Sequence, residues 1–363
     1  MFALLFAAPP ADSEEVQSAA DALRERFESQ TELAEKALSE LGTKYLEALR
    51  NMETGYREKA DLESLLKFSA EIKRFENSRT PPQVLSENQQ LARIQKIYQE
   101  SHRAESANRQ RRLRTIRAEY VGGLKTLIDD LTRKGKLEEA NALQKIVRRV
   151  TLTQSLTHDL VLHLQFEGRT GKAIPDLSPV GNDGTLHGDA VVRTTPGIRE
   201  SYVELDGRGD FIQIPHDPTL SLTTDCTIAL WVRAREFRDL HGLVCKYIPK
   251  NAFTFRISAR KIRGLVMFGD YNNTNVSKSA LVLDRWTHLA VTLSDNKVSF
   301  YFDGLLDASA ERPKPRPLAT NTNPVRVGSD YDGRYFKGDV DEVRIYRRAL
   351  SAEEVAELFR SES

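Results

Sequence analysis

Leu289-Ala290-Val291-Thr292-Leu293, Ser294-Asp295-Asn296-Lys297 and Val298-Ser299-Phe300-Tyr301-Phe302 follow one another without a gap. The outer two stretches alternate with period two, which puts successive side chains on opposite faces of a strand. The polar link between them closes a hairpin, and Asp303-Gly304 supplies the next tight turn. Similar short runs occur at 160–166, 202–205, 211–214, 227–232, 243–247, 254–257, 265–268, 325–327 and 340–346. Many short strands with no helical pattern between them predict an all-β antiparallel sandwich or barrel from about residue 158 onward.

Upstream the period changes. From 13 to about 150 Ala, Leu, Glu, Lys and Arg dominate, and apolar residues recur at helical spacing. Asn77-Ser78-Arg79-Thr80-Pro81-Pro82 breaks that pattern, because consecutive prolines stop a helix. The two halves on either side of the break match at an offset of 75 residues: Tyr45 with Tyr120, Leu49 with Leu124, Met52 with Leu127, Leu62-Glu63 with Leu137-Glu138 and Arg74 with Arg149. An internal duplication explains this. Each unit reads as a long helix (14–58, 86–133), a tight turn and a shorter returning helix (60–77, 136–152). The first long helix opens acidic, with Glu25, Glu28, Glu32 and Glu35 among others. The middle of the second is basic, with Arg103, Arg109, Arg111, Arg112, Arg114 and Arg117. Without interleaved aromatics this cluster does not read as a nucleic-acid interface. Pairing of the two long helices by charge, within one chain or through self-association of the stem, is the expectation.

Bulk properties agree. The 363 residues carry 53 Lys+Arg against 52 Asp+Glu, a net charge of +1 that attracts neither nucleic acid nor an anionic membrane. The opening Met1-Phe2-Ala3-Leu4-Leu5-Phe6-Ala7-Ala8 is apolar and resembles the back half of a secretory signal, which predicts export to the periplasm, cell surface or medium. No later stretch reaches the ~20 apolar residues of a transmembrane helix. Cys226 and Cys245 are too few for a disulfide scaffold and read as buried thiols, although a single bridge stays open.

Five ordered stretches carry a family resemblance. They are Phe166-Glu167-Gly168 with Asp176 to Leu186; Leu205-Asp206-Gly207-Arg208-Gly209-Asp210-Phe211; Thr227-Ile228-Ala229-Leu230-Trp231-Val232; Trp286-Thr287-His288-Leu289-Ala290-Val291-Thr292 with Tyr301-Phe302-Asp303-Gly304; and Gly338-Asp339-Val340-Asp341-Glu342-Val343-Arg344-Ile345-Tyr346 running into Arg347-Arg348-Ala349-Leu350. Together they resemble laminin G-like jelly rolls of the concanavalin A-like lectin/glucanase superfamily, in a chain of bacterial type. The implied organisation is an apolar leader (1–12), an all-α stem of two duplicated hairpins or a coiled coil (13–154; hairpins 13–77 and 84–152), an all-β jelly-roll sandwich (158–351) and a tail (352–363). The resemblance implies glycan or protein recognition. A purely structural docking module and a divergent glycoside hydrolase are the alternatives.

Catalysis is not expected. A retaining glycosidase needs two carboxyl groups about 5 Å apart, and the nearest candidate, Glu204-Leu205-Asp206, has no second glutamate after it. The histidines show no metal or triad spacing. Arg208-Gly209-Asp210 spells the integrin tripeptide but reads as a turn. Tyr247, Tyr271, Tyr331 and Tyr335 are the loop aromatics expected to stack on a sugar. The resemblance further implies that the first and last strands pair, which brings Asp176 and Asn182 toward Asp339 and Asp341. Asp341 then shares a face with Val343 and Ile345 and points inward. An inward carboxylate either joins such a group in holding one structural calcium ion or accepts backbone donors at a turn.

Overall fold

The computed structural model describes residues 14–363 apart from 80, 83, 84, 170, 195–197, 199, 238, 239, 247–251, 259–263, 271, 272, 313–316, 331 and 332. The apolar leader therefore lies outside the described residues. Two compact units are present, Met1–Gln154 and Ser155–Ser363.

In the first unit the long helices are α1 (Glu14–Glu58) and α3 (Gln89–Arg133), and the short ones are α2 (Leu62–Ser78) and α4 (Leu137–Ser155). Shifting α1 by 75 residues reproduces both ends of α3, and the same shift carries the start of α2 onto that of α4. The third helix begins three residues later than the pattern suggests because Asn88 caps it, accepting from the amides of Gln90 and Leu91. The two tight turns are the same structure. Lys59, Ala60 and Asp61 donate to Gly55, Arg57 and Tyr56, and Lys134, Gly135 and Lys136 donate to the equivalent Asp130, Thr132 and Leu131. Both turns need a left-handed residue, met by Ala60 at φ 55° and by Gly135 at φ 75°.

The cores repeat as well. Tyr45, Leu49, Phe68, Ile72 and Phe75 pack with Leu91 and Tyr98 of α3. Their counterparts Tyr120, Leu124, Leu143, Val147 and Val150 pack with Phe27 of α1. Neither hairpin buries its apolar face alone; each is completed by the N-terminal half of the other's long helix. That exchange makes α1 and α3 antiparallel, and opposite charges cross the seam. Arg109 forks onto Glu35 with both contacts at 2.6 Å, and Arg26 reaches Glu119 at 3.4 Å. Charge pairing thus operates within one chain.

The second unit is an antiparallel sandwich. Sheet A orders β14 (Leu305–Glu311), β13 (Lys297–Phe302), β12 (Trp286–Ser294), β7 (Cys226–Ala234), β16 (Lys337–Tyr346), β5 (Ser201–Asp206) and β4 (Val191–Thr194), with β1 (Leu160–Leu164) also on β16. Sheet B orders β11 (Asn273–Ala280), β10 (Leu265–Asp270), β9 (Phe253–Ser258), β8 (Leu240–Lys246), β15 (Val325–Val327), β6 (Phe211–Ile214), β3 (Gly184–His187) and β2 (Ala173–Ile174). The inward residues of both sheets form one core that includes Phe166, Leu230, Val232, Phe253, Phe255, Val291 and Val340. The closing helix α5 (Ala352–Glu362) starts on a Ser351–Glu354 capping box. Its Val355 and Leu358 pack on Ala229, Ala290, Tyr301 and Tyr346, which covers this part of the outer face of sheet A.

The duplicated turns give an internal comparison. A β-carbon in the left-handed region costs roughly 1–2 kcal/mol. Ala60→Gly should raise the stability of the helical unit by about 1 kcal/mol, and Gly135→Ala should lower it by a similar amount. Urea melts followed by helical circular dichroism measure both; equal and same-signed effects would refute the equivalence of the turns.

Candidate functional site

Within the second unit, sheet B carries no helix on its outer face among the described residues. On β6, Ile212 and Ile214 face the core, so Phe211 and Gln213 point outward. Register places His187 of β3 opposite Phe211 and Arg326 of β15 opposite Gln213. The His187 and Phe211 rings stack at 4.7 Å with planes 1° apart. Arg326 places its guanidinium carbon 4.3 Å from the Phe211 centroid. Tyr335 joins the row, its ring 6.4 Å from Phe211. Burial and the positive charge of Arg326 hold the His187 imidazole below its usual pKa, so it stacks as a neutral ring at pH 7. His187, Gln213, Arg326 and Tyr335 are half-buried. The result is a rigid row of rings and one cation, with polar edges at the surface.

The segment carrying Tyr335 is held down firmly. Gly242 donates to the Arg334 carbonyl at 3.1 Å, and the His241 Nδ1 lies 3.0 Å from the Tyr335 carbonyl. A β-carbon on Gly242 would stand 2.3 Å from the Ser329 carbonyl carbon, so only glycine allows this approach. Asp330, fully buried, pairs with Arg256 at 3.1 Å and with Arg334 at 3.7 Å. Of the four expected tyrosines, Tyr335 is in this row, whereas Tyr247, Tyr271 and Tyr331 lie outside the described residues. His187, Phe211 and Arg326 were missed from sequence because their outward positions depend on strand register, which short runs do not specify.

Beside the row, ligand oxygens of Asp189, Asp206 and Asp210 lie within 4.8 Å of one another. Both Asp210 oxygens already accept backbone donors, from Asp189 at 2.9 Å and Asp206 at 2.9 Å. Arg208-Gly209-Asp210 is accordingly a turn whose aspartate is buried.

The four expected calcium ligands have different fates. Asp176 accepts from the His163, Ser178 and Asn182 amides and from the Ser178 hydroxyl. Asn182 donates to the Val161 carbonyl and to Thr219. Asp339 is paired with Arg233 at 2.6 Å and Arg235 at 3.0 Å. Asp341 differs. The expectation that it shares a face with Val343 is corrected by a bulge between Asp341 and Arg344, with Glu342 at φ 49°. The bulge places Asp341 opposite Trp231, on the outer face. There one oxygen accepts the Glu342 amide, while Oδ2 is buried without a hydrogen-bond partner. Burial, then the charges of Glu342 and Glu167, push the Asp341 carboxyl up to about 8. An orphaned, fully buried carboxylate oxygen among other carboxylates fits a hard cation.

Glu204 accepts a forked pair from Arg193 at 3.2 Å, which holds its carboxyl below the usual range, as a general acid would not be. Cys226 and Cys245 are free and buried, and burial pushes both thiols up to about 12. No helix among the described residues is long and apolar enough to cross a membrane.

Residues 206–356 match the family model of the concanavalin A-like lectin/glucanases superfamily. A stretch of 92 residues is 29% identical to the adhesion G-protein coupled receptor V1 of Danio rerio, covering 24% of this chain and 2% of the receptor's length. Among solved structures the chain is similar to the binding domain of Paraclostridial Mosquitocidal Protein 1, at 18% identity and a TM-score of 0.47, over 57% of this chain and 53% of that one. It is similar also to domain 4 of an extracellular arabinanase from Geobacillus stearothermophilus, solved with arabinotriose, at 20% identity and a TM-score of 0.45, over 55% and 98% of the two chains. Residues 206–356 are therefore a laminin G-like domain of the concanavalin A-like lectin/glucanase superfamily.

Proposed function

We propose that this is an exported, non-catalytic recognition protein whose jelly roll binds a glycan through the outer face of sheet B. One observation carries the reading: α5 covers part of the outer face of sheet A, whereas on sheet B His187, Arg326 and Tyr335 stay half-exposed around the buried Phe211 ring. The apolar face of a sugar ring packs on the face of an aromatic ring, and guanidinium and amide groups such as Arg326 and Gln213 would orient its hydroxyls. Rigid side chains suit this role because little conformational entropy is lost on binding. The arginine-paired state of Glu204 supports the absence of hydrolysis.

A glycan array probed with the full chain tests the reading. Tyr335→Ala and Arg326→Ala should each weaken any glycan hit at least about tenfold with the melting temperature nearly unchanged, as expected for surface contacts. Hits that ignore both changes, or retention of only protein ligands, would move the module to protein docking. Reducing-sugar release from β-glucans that disappears in Glu204→Gln would make it an enzyme.

One calcium ion is also proposed, held by Asp341, with Glu167 and Glu342 adding negative charge nearby. Calcium would supply the compensation that the Asp341 Oδ2 lacks. Without calcium, the raised pKa means that the folded state holds a proton the unfolded chain has already lost. Stability should then fall as pH rises from the ordinary carboxylate value toward about 8. Melts at pH 8 should show wild type stabilised by calcium and reversed by EDTA. Asp341→Asn should be more stable than wild type in EDTA and blind to calcium. Identical melts for both proteins with and without calcium would remove the site.

A further inference from the structure

We infer that the helical unit forms a two-fold pair with a second copy of this chain, the acidic stripe of α1 in one copy lying on the arginine stripe of α3 in the other. Glu25, Glu28 and Glu32 follow one another at helical spacing along α1, and all three are exposed. Arg103, Arg111 and Arg114 do the same along α3 and are also exposed. Charge pairs do join these helices inside the chain, at Glu35–Arg109 and Arg26–Glu119. They use the residues nearest the seam. None of the three glutamates, nor Arg103 or Arg114, has an ion-pair partner among the described residues, and Arg111 meets the side chain of Asn108.

Two features turn loose surface charge into a self-complementary surface. First, the duplication makes the two long helices equivalent in bounds and packing, yet the charge reverses between Glu28 and its counterpart Arg103, 75 residues on, and Arg114 stands where α1 has Ser39, although Glu25 and Arg111 keep their sign in Glu100 and Lys36. An acidic stretch on one helix and a basic stretch on its equivalent suit a two-fold interface, which presents one patch to itself. Second, α1 and α3 run antiparallel, with Arg26 level with Glu119 and Glu35 level with Arg109. The basic stretch therefore lies level with about residues 31–42 of α1, so the acidic and basic stretches follow one another along the pair, and a two-fold axis midway between them exchanges the two. Turning a second copy about a two-fold axis lays α1 over α3, and symmetry makes the contact twice. Exposed pairs are individually weak and screened by salt, so the pair should be reversible and sensitive to ionic strength.

Light scattering after size exclusion of the full chain tests this. At about 50 mM salt a dimer is expected, and raising salt to about 500 mM should weaken it at least tenfold. Glu25→Lys/Glu28→Lys/Glu32→Lys and Arg103→Glu/Arg111→Glu/Arg114→Glu should each be monomeric. Mixed in equal amounts, the two variants should recover a 1:1 dimer, since each reversed stripe then meets its opposite. Helical circular dichroism checks their folding; should either unfold, the wild-type salt series and the milder Glu28→Gln/Glu32→Gln variant decide. A wild-type monomer at every concentration overturns the proposal, as does a dimer that survives both reversals. So does a monomer that binds heparin through the arginines, which would make the stripe a polyanion site instead.

Discussion

The guanidinium of Arg344 lies 2.8 Å from Glu342 on its own strand and 2.9 Å from Glu362 on α5, with a side-chain exposure of 7%. Three charges are buried together here, and such groups are tolerable only while each keeps its partners. Glu362 also accepts the Trp231 indole N–H at 2.8 Å, and Glu342 accepts from Gln165 and lies 2.8 Å from the His163 imidazole. One arginine thus joins β16, β7, the end of β1 and the closing helix. Deleting α5 would leave Arg344 and Trp231 without their shared carboxylate, and breaking a buried pair costs about 3–5 kcal/mol. The helix is for that reason part of the module and not a tail after it.

This constraint explains the bulge. Val340 and Val343 both reach the core, three residues apart, where strict alternation would send one of them outward. Inserting Glu342 in a left-handed conformation restores the core register after Asp341 and gathers Asp341, Glu342 and Arg344 on one face. Buried charges that belong to α5 and sheet A therefore arrive together. The orphaned oxygen of Asp341 is a part of this arrangement that no protein hydrogen bond compensates.

Much of this architecture can be read from the residues. The duplication is visible because buried positions such as Tyr45/Tyr120 and Leu49/Leu124 repeat as the same residue in both hairpins. The central strands alternate or run apolar, so they announce themselves. Asn273–Ala280 and Leu305–Glu311 do not. β11 pairs on one side with β10 alone and is largely polar; β14 is an edge with Leu305 and Leu306 exposed, so neither has the burial that writes a pattern into sequence. The carboxylates expected to share a calcium ion meet separate partners for a different reason. Proximity to the first and last strands is set by topology, but Asp176 and Asp339 found backbone amides and arginines first, and spacing alone cannot show which donors a carboxylate will meet.

The place of the proposed recognition surface follows from where charge is buried. A sandwich has two outer faces, and a face that holds Arg344, Glu342 and Glu362 under a helix cannot also exchange water for a ligand without exposing them. Sheet B carries no such burden at its β3–β6–β15 end. Its buried ion pairs, Asp330 with Arg256 and Arg334, instead fix the segment that holds Tyr335. Gly242 allows that segment to touch β8 directly. The aromatic row is thus placed by backbone contact and by charge pairing, not by a mobile loop. A site positioned in this way favours a ligand that fits rigid edges over one that must be enclosed.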